Sequence, residues 1–357
     1  MSGQGALILA VGMMTSIGIG ATQTAASVRA GISRFKETSI YDKRFQPFVM
    51  ATIPDDQLPP IESSLETVVG LTSRQARMLR LAAPAIQEVL GGIQNPEQIP
   101  VFIGTPEPLA GRPDPAGVSF LEHLSVQSNI KFNIKQSRMF PTGRASGILA
   151  LREGLEYLKA GKSRLVIVGG VDTYLDLYLL GTLDMEERIL AQGVMDGFVP
   201  GEGAGFMLLG APEQMKQTDL KGIARIGAVG NGCEKGHRYS QEVYRGDGLA
   251  EAFQALFASA PASCGKIRTV FAGLNGENYG AKEWGVAYMR SKERFEEDFK
   301  LQHPVDCFGD TGAALGPLMI CLAAIGIHKG YVNAPCLVWC SSDREDRAAA
   351  IIQGLSN

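Results

Sequence analysis

The sequence predicts an α/β protein made of two similar halves, and three observations carry that reading. Apolar runs of strand length alternate with segments of helical period along most of the chain. A glycine-led turn feeds a long apolar helix twice, once at 143–160 and again at 309–328. Between them a polar connector, Pro212–Lys221, follows Phe206-Met207-Leu208-Leu209 and marks a seam. The halves are therefore placed at 1–211 and 221–357, and a length of 357 residues suits two fused units better than one small core.

Taken in order, Ala6–Val11 is an apolar run with no lysine or arginine before Arg29, so it reads as a buried first strand rather than the core of an export signal. Helical spacing follows at Thr22–Ala30 and Arg74–Val89, and a short strand at Val101–Gly104. From Pro106 to Arg138 the proline and polar content, including Pro113, Asp114 and Pro115, predicts an extended excursion over a partner or a pocket. The helix Ser146–Ala160 and the strands Leu165–Val168 and Gly205–Leu209 complete the first half. In the second, strands are expected at Ile223–Ala228, Val270–Ala272 and Ala334–Cys340. Helices are expected there at Leu249–Ala258, Glu283–Phe299, Thr311–His328 and Asp343–Leu355.

Composition narrows the function. With 45% hydrophobic and 20% charged residues the chain has the make-up of a folded protein, not a disordered one. A net charge of −3 offers no basic stripe, so no nucleic-acid partner is expected. No run of about 20 apolar residues is present to span a membrane. The six cysteines (Cys233, Cys264, Cys307, Cys321, Cys336, Cys340) fall in the second half. Cys336 and Cys340 alone are close, without two further ligands at zinc spacing. The four histidines are scattered. These features predict reduced thiols in a cytoplasmic protein, with no metal and no cofactor.

Several motifs then converge. Thr142-Gly-Arg-Ala-Ser-Gly147 opens the amphipathic helix that leads to Leu165-Val-Ile-Val-Gly-Gly-Val171. Downstream stands Gly197-Phe-Val-Pro-Gly-Glu-Gly-Ala-Gly205, and near the N-terminus Met14-Thr-Ser-Ile-Gly18 precedes a helix ending Val28-Arg-Ala-Gly31. The glycines of the 197–205 run read as sites of tight turning and close approach, not as a phosphate cradle, since the run enters a strand and no lysine-serine follows. Together these segments resemble the β-ketoacyl synthase branch of the thiolase superfamily nearly from end to end. The resemblance implies a thiolase-like fold, duplicated α/β halves in a layered α-β-α-β-α architecture.

It also implies where the chemistry should sit. The family's Thr-Ala-Cys-Ala-Ser-Gly elbow places Arg144 at the position of the nucleophilic cysteine. Its Asn-Ala-His-Gly-Thr motif maps onto Leu274-Asn275-Gly276-Glu277, putting Asn275 at the first histidine, and eight residues on lies Glu283, where the family is acidic. The Gly-His-x-x-Gly-Ala-Ala-Gly motif maps onto 309–316, putting Asp310 at the second histidine. A guanidinium cannot attack a thioester, and neither Arg144 nor Asn275 offers a pKa suited to acid–base work. Arg144 at a helix N-terminus faces the positive end of the dipole, and the resemblance implies that the three positions share one pocket, so Arg144 is expected to reach Asp310, with Asn275 nearby; the alternative is that it swings into solvent or binds an anion.

The resemblance therefore implies a catalytically degenerate β-ketoacyl-synthase-like protein that acts by binding, as a ketosynthase partner subunit or as an accessory or adaptor of a type VI secretion effector. The alternative is an acyltransferase-type enzyme with relocated residues, performing 3-oxoacyl-carrier-protein synthase-like condensation, decarboxylation or thioester hydrolysis. Cys307, just before Gly309-Asp310, is then the fallback nucleophile. Expected partners are a second copy or an active ketosynthase in a dimer, an acyl carrier protein, or a secretion effector.

Overall fold

The computed structural model describes residues 5–355 except 110 and 217. Residues 1–4 and 356–357 at the ends of the expected halves, 110 in the excursion and 217 in the seam lie outside it. In chain order the strands are β1 (Leu7–Thr15), β2 (Gly18–Ile19), β3 (Lys36–Tyr41), β4 (Pro47–Met50), β5 (Val101–Gly104), β6 (Arg138–Phe140), β7 (Leu165–Thr173), β8 (Glu202–Gly210), β9 (Ala224–Cys233), β10 (Ile267–Ala272), β11 (Phe295–Gln302), β12 (Cys336–Ser341) and β13 (Asp346–Gln353).

The sheet order repeats. One set runs β6-β5-β7-β8-β1 and the other β11-β10-β12-β13-β9. In each set the first two pairings are parallel and the last two antiparallel. The sets join where β1 meets β9, with Leu7 opposite Arg225 and Ile8 opposite Ala224. A separate hairpin pairs β3 with β4.

Side-chain alternation places helices on both faces of each set. In β7, Val166 and Val168 join the central core while Ile167 and Val171 join the outer one. In β12, Cys336, Val338 and Cys340 face the centre, whereas Leu337 and Trp339 face outward. The Ser73–Leu90 helix covers the outside of the first set, and the Asp247–Ser259 helix, packed beside the Asn278–Ser291 helix, that of the second. Between the sets lie the two central helices, Ser146–Lys159 and Leu315–His328. This is the expected layered α/β architecture. The second central helix is apolar over its whole circumference because both its sides are covered.

The two central helices touch where glycine permits it. A Cβ on Gly147 would lie 2.3 Å from Pro317 Cδ and Cγ, so no side chain fits.

Two expected helices require correction. Within Asp343–Leu355 the chain instead forms a strand, β13 (Asp346–Gln353), held antiparallel between β12 and β9. Its Ala-Ala-Ala-Ile-Ile run suits a helix locally, but a strand buried on both faces carries the same unbroken apolar pattern. Glu283–Phe299 is also divided: the helix spans Asn278–Ser291, and Phe295 begins β11. At Thr311–His328 a single short turn, Gly312–Ala314, precedes the helix proper. Within the 106–138 excursion the Phe120–Ser128 helix adds regular structure that composition did not indicate, and β6 begins at its last residue, Arg138.

The Gly147 contact leads to a stability prediction. Gly147→Ala should lower unfolding stability by about 1–3 kcal/mol through overpacking against Pro317, read from urea titration. A change below ~0.5 kcal/mol would show that the helix pair separates at little cost.

Candidate functional site

The candidate site forms where the turn Gly143–Ala145 enters the Ser146–Lys159 helix. Gly143 adopts φ 70, and Ala145 donates its N–H to Ser342 Oγ at 3.0 Å. Ser342 in turn donates to the Thr142 carbonyl. These contacts fix Arg144 at the helix entry, where it is 6% exposed. Opposite it, Asp310 is held by backbone: its N–H donates to Val199 O at 2.9 Å, and its carbonyl accepts from Gly201 N at 2.8 Å. Gly201 is required there, since a Cβ would lie 2.5 Å from the Phe308 carbonyl.

Arg144, Asn275 and Asp310, brought from three separate segments, meet in one cluster. Arg144 Nε donates to Asp310 Oδ2 at 2.6 Å, and Asn275 Nδ2 donates to the same oxygen at 2.8 Å. The ion pair expected from the sequence is thus present. Asp310 Oδ1 accepts from Gly312 N at 2.9 Å, so the fully buried carboxylate is hydrogen-bonded on both oxygens.

The cluster extends further than the sequence indicated. Arg144 Nη1 donates to Asp343 Oδ1 at 2.8 Å. Arg188 grips Asp343 through Nη1 and Nη2, both at 2.9 Å, and Glu277 through Nε at 2.9 Å and Nη2 at 3.0 Å. Arg238 adds a 2.8 Å contact to Glu277. Arg144, Arg188 and Arg238 therefore face Asp310, Asp343 and Glu277, three cations against three anions, and Asn275 bridges Asp310 and Glu277. Burial alone would lower the Arg144 pKa, but the charges of Asp310 and Asp343 hold it well above its usual value. Burial would raise Asp343, yet Arg144 and Arg188 hold its carboxyl far below the usual range. Chemically, the cluster has no thiol, imidazole or free carboxylate to act as nucleophile or base.

Arg188, Arg238, Glu277 and Asp343 carried no local sequence signal as partners, because Arg144 and Asp343 lie 199 positions apart. Cys307 is buried, and burial followed by the charge of Asp306 pushes its thiol pKa up. It is not among the residues lining the cavity beside Arg144. Glu283, fully buried, accepts from Arg347 Nε at 2.5 Å and belongs to a separate pair. Six free cysteines are present, and among the described residues no group of histidine, cysteine and carboxylate side chains could hold a metal ion. No helix among the described residues is long and apolar enough to cross a membrane.

Around Asn275 and Trp339 the remaining space is only about 20 Å³. On the other side of Arg144 a cavity of about 400 Å³ remains, lined among others by Glu107, Leu109, Tyr174, Leu179 and Leu183. Burial pushes the Glu107 carboxyl up to about 8; Asp343 adds to that rise, while Arg344 and Arg144 oppose it. The glutamate of the 197–205 run has a different role. Glu202 is fully buried and accepts from Arg77 twice at 2.6 Å, Thr173 Oγ1 at 2.8 Å and Ile53 N at 2.7 Å.

Residues 129–214 match the family described as Beta-ketoacyl synthase, N-terminal domain. The whole chain has the thiolase-like fold of those synthases. It is similar to a ketosynthase from module 6 of the bacillaene synthase of Bacillus subtilis 168, at 12% identity and TM-score 0.78, covering 99% of this chain and 72% of that one. A β-ketoacyl synthase from Burkholderia phymatum STM815 aligns at 15% identity and TM-score 0.76 over 99% of this chain and 100% of that chain. A ketosynthase solved in complex with its chain length factor, from Xenorhabdus doucetiae, aligns at 15% identity and TM-score 0.75, covering 99% and 98%. At such identities the likeness speaks for the fold. No curated protein sequence matches the chain.

Two predictions follow from the geometry. Removing Arg144 (Arg144→Ala) leaves Asp310 charged and buried, and should cost about 3–5 kcal/mol of stability. Combining Arg144→Met with Asp310→Asn should cost less than the two single changes together, by about 0.5–3 kcal/mol in a double-mutant cycle. Strict additivity would show that the pair is not coupled.

The second concerns pH. Glu107 stays protonated in the folded protein up to about 8 but ionises near 4.5 when unfolded. Its contribution to stability is therefore full below 4.5, declines as pH rises, and is lost above about 8. Glu107→Gln should flatten stability across that window; an unchanged profile would mean that Glu107 ionises normally in the fold.

Proposed function

We propose that this protein works by binding, as a ketosynthase-like subunit without condensing activity that pairs with an active ketosynthase. The observation that carries the reading is the guanidinium of Arg144, paired to Asp310 and Asp343 at the helix entry where the resemblance expects a cysteine. A guanidinium remains protonated at any working pH and is no nucleophile. The two positions expected to hold histidines carry Asn275 and Asp310, and both are engaged by the same ion cluster.

The pairing half of the proposal has separate support. A ketosynthase of similar fold was solved with its chain length factor, and another similar structure is a ketosynthase/chain length factor. In this protein β6 closes one end of the sheet and, among the described residues, pairs as a strand only with β5, which leaves a strand edge for a partner.

Co-expression with active ketosynthases, followed by size-exclusion chromatography, tests the reading. A stable complex with a ketosynthase is expected. Co-elution only with a secretion effector or its chaperone would replace the proposed partner. Incubation of the protein alone with acyl thioesters should give no covalent adduct by mass spectrometry. An adduct that vanishes in Cys307→Ala would overturn the binding role in favour of a relocated nucleophile.

A further inference from the structure

The cavity beside Arg144 holds one carboxyl group that the rest of the protein leaves without a donor. Three cationic side chains, Arg74, Arg144 and Arg344, and four carboxyls, Glu107, Asp172, Glu186 and Asp343, line it. With every carboxyl ionised the lining therefore carries one negative charge in excess. The cluster members outside the lining, Arg188 and Arg238 against Asp310 and Glu277, balance each other and leave that excess unchanged. Arg112, over the exposed Tyr178 ring at 3.8 Å, is itself exposed and screened by solvent.

Three of the four carboxyls are served. Asp172 accepts from Arg74 at 3.0 Å, Asp343 from Arg144 and Arg188, and Glu186 from Tyr239 at 3.1 Å. Glu107, with its side chain 16% exposed, accepts no hydrogen bond among the described residues. Its one ion pair there is a 3.6 Å contact with Nε of Arg344, a side chain 38% exposed. A second polar group is also unmet. Tyr174 is 8% exposed and packs edge-on against Phe198, yet its hydroxyl makes no hydrogen bond among the described residues. That hydroxyl and both Glu107 oxygens keep accessible surface, whereas Arg144 Nη2 is sealed.

A half-buried carboxylate without a donor is costly, and a positively charged N–H group satisfies its charge and its lone pairs together. The remaining walls fit such a group. Tyr174, Tyr178 and Tyr239 supply aromatic rings, which favour a cation, and Leu109, Leu179 and Leu183 an apolar surface. The volume of about 400 Å³ has room for roughly a dozen non-hydrogen atoms, at the ~30 Å³ each water claims in the liquid.

We infer that this cavity takes a primary ammonium ion on a short apolar chain, its N–H groups donating to Glu107 and to the Tyr174 hydroxyl and its chain lying along Leu109, Leu179 and Leu183. This goes beyond the subunit role, which does not use the cavity. The charged groups facing Glu107 are Asp343, Arg344, Arg144 and Asp346. Without a bound cation the carboxyl keeps its proton up to about 8. The ammonium ion displaces that proton, so binding strengthens as pH rises toward 8.

Isothermal titration of the purified full-length protein with hexylamine hydrochloride tests this, with hexanol, sodium hexanoate and hexyltrimethylammonium as comparisons. At pH 8 hexylamine should bind at least tenfold more tightly than any of the three. Its affinity should rise at least tenfold from pH 6 to pH 8. Glu107→Gln should lose at least tenfold in affinity, and Tyr174→Phe, which keeps the ring against Phe198, severalfold. Arg344→Gln removes the competing cation and should bind hexylamine severalfold more tightly, a gain that a misfolded variant could not give. No binding of hexylamine, equal binding of any comparison compound, an affinity unchanged between pH 6 and pH 8, or undiminished affinity in Glu107→Gln would each overturn the assignment. Since the titration needs no second protein, its failure would leave the ketosynthase-partner reading standing.

Discussion

The pairing of Arg144 with Asp310 and Asp343 is the contact on which the centre of this molecule depends. Arg144 comes from the turn before the first central helix, and both carboxylates come from the second half of the chain. Arg188 and Arg238 extend the cluster to Glu277, so cations and anions balance within one buried region. Each charge is expensive to bury alone and tolerable only in company. The cluster therefore behaves as one unit, and its members are replaceable only together.

That balance has a spatial effect as well. By filling the space around Asn275 and Asp310, the ion cluster closes one side of the site and leaves room only on the side of Glu107 and the leucines. The cavity that remains has Arg144 and Glu107 in its lining beside Leu109, Leu179 and Leu183.

How much of this was legible in the sequence follows from the range of the interactions. The α/β class and both glycine-led central helices were readable because period and turn residues are local, whereas the meeting of Arg144 with Asp310 followed from the shared pocket that the family resemblance implies. Asp343 was not readable as a partner, since its segment carries a helix-like alanine run and becomes a strand only through its two neighbours. Arg188 and Glu277 were equally silent, for a buried ion pair across 89 positions leaves no spacing to detect. Likewise the unusual acidity of Glu107 arises from burial and from Asp343, both products of the assembled fold.

Glu202 gives a different lesson about kinship. It stands in the stretch that reads most like a synthase, yet its oxygens are spent on Arg77, Thr173 and the Ile53 amide, fastening an inner strand to an outer helix. Such a residue serves the scaffold, since its contacts tie the strand to the helix and to the Ile53 amide. Shared lettering in that stretch is thus a record of carpentry, inherited independently of any trade later practised inside the building.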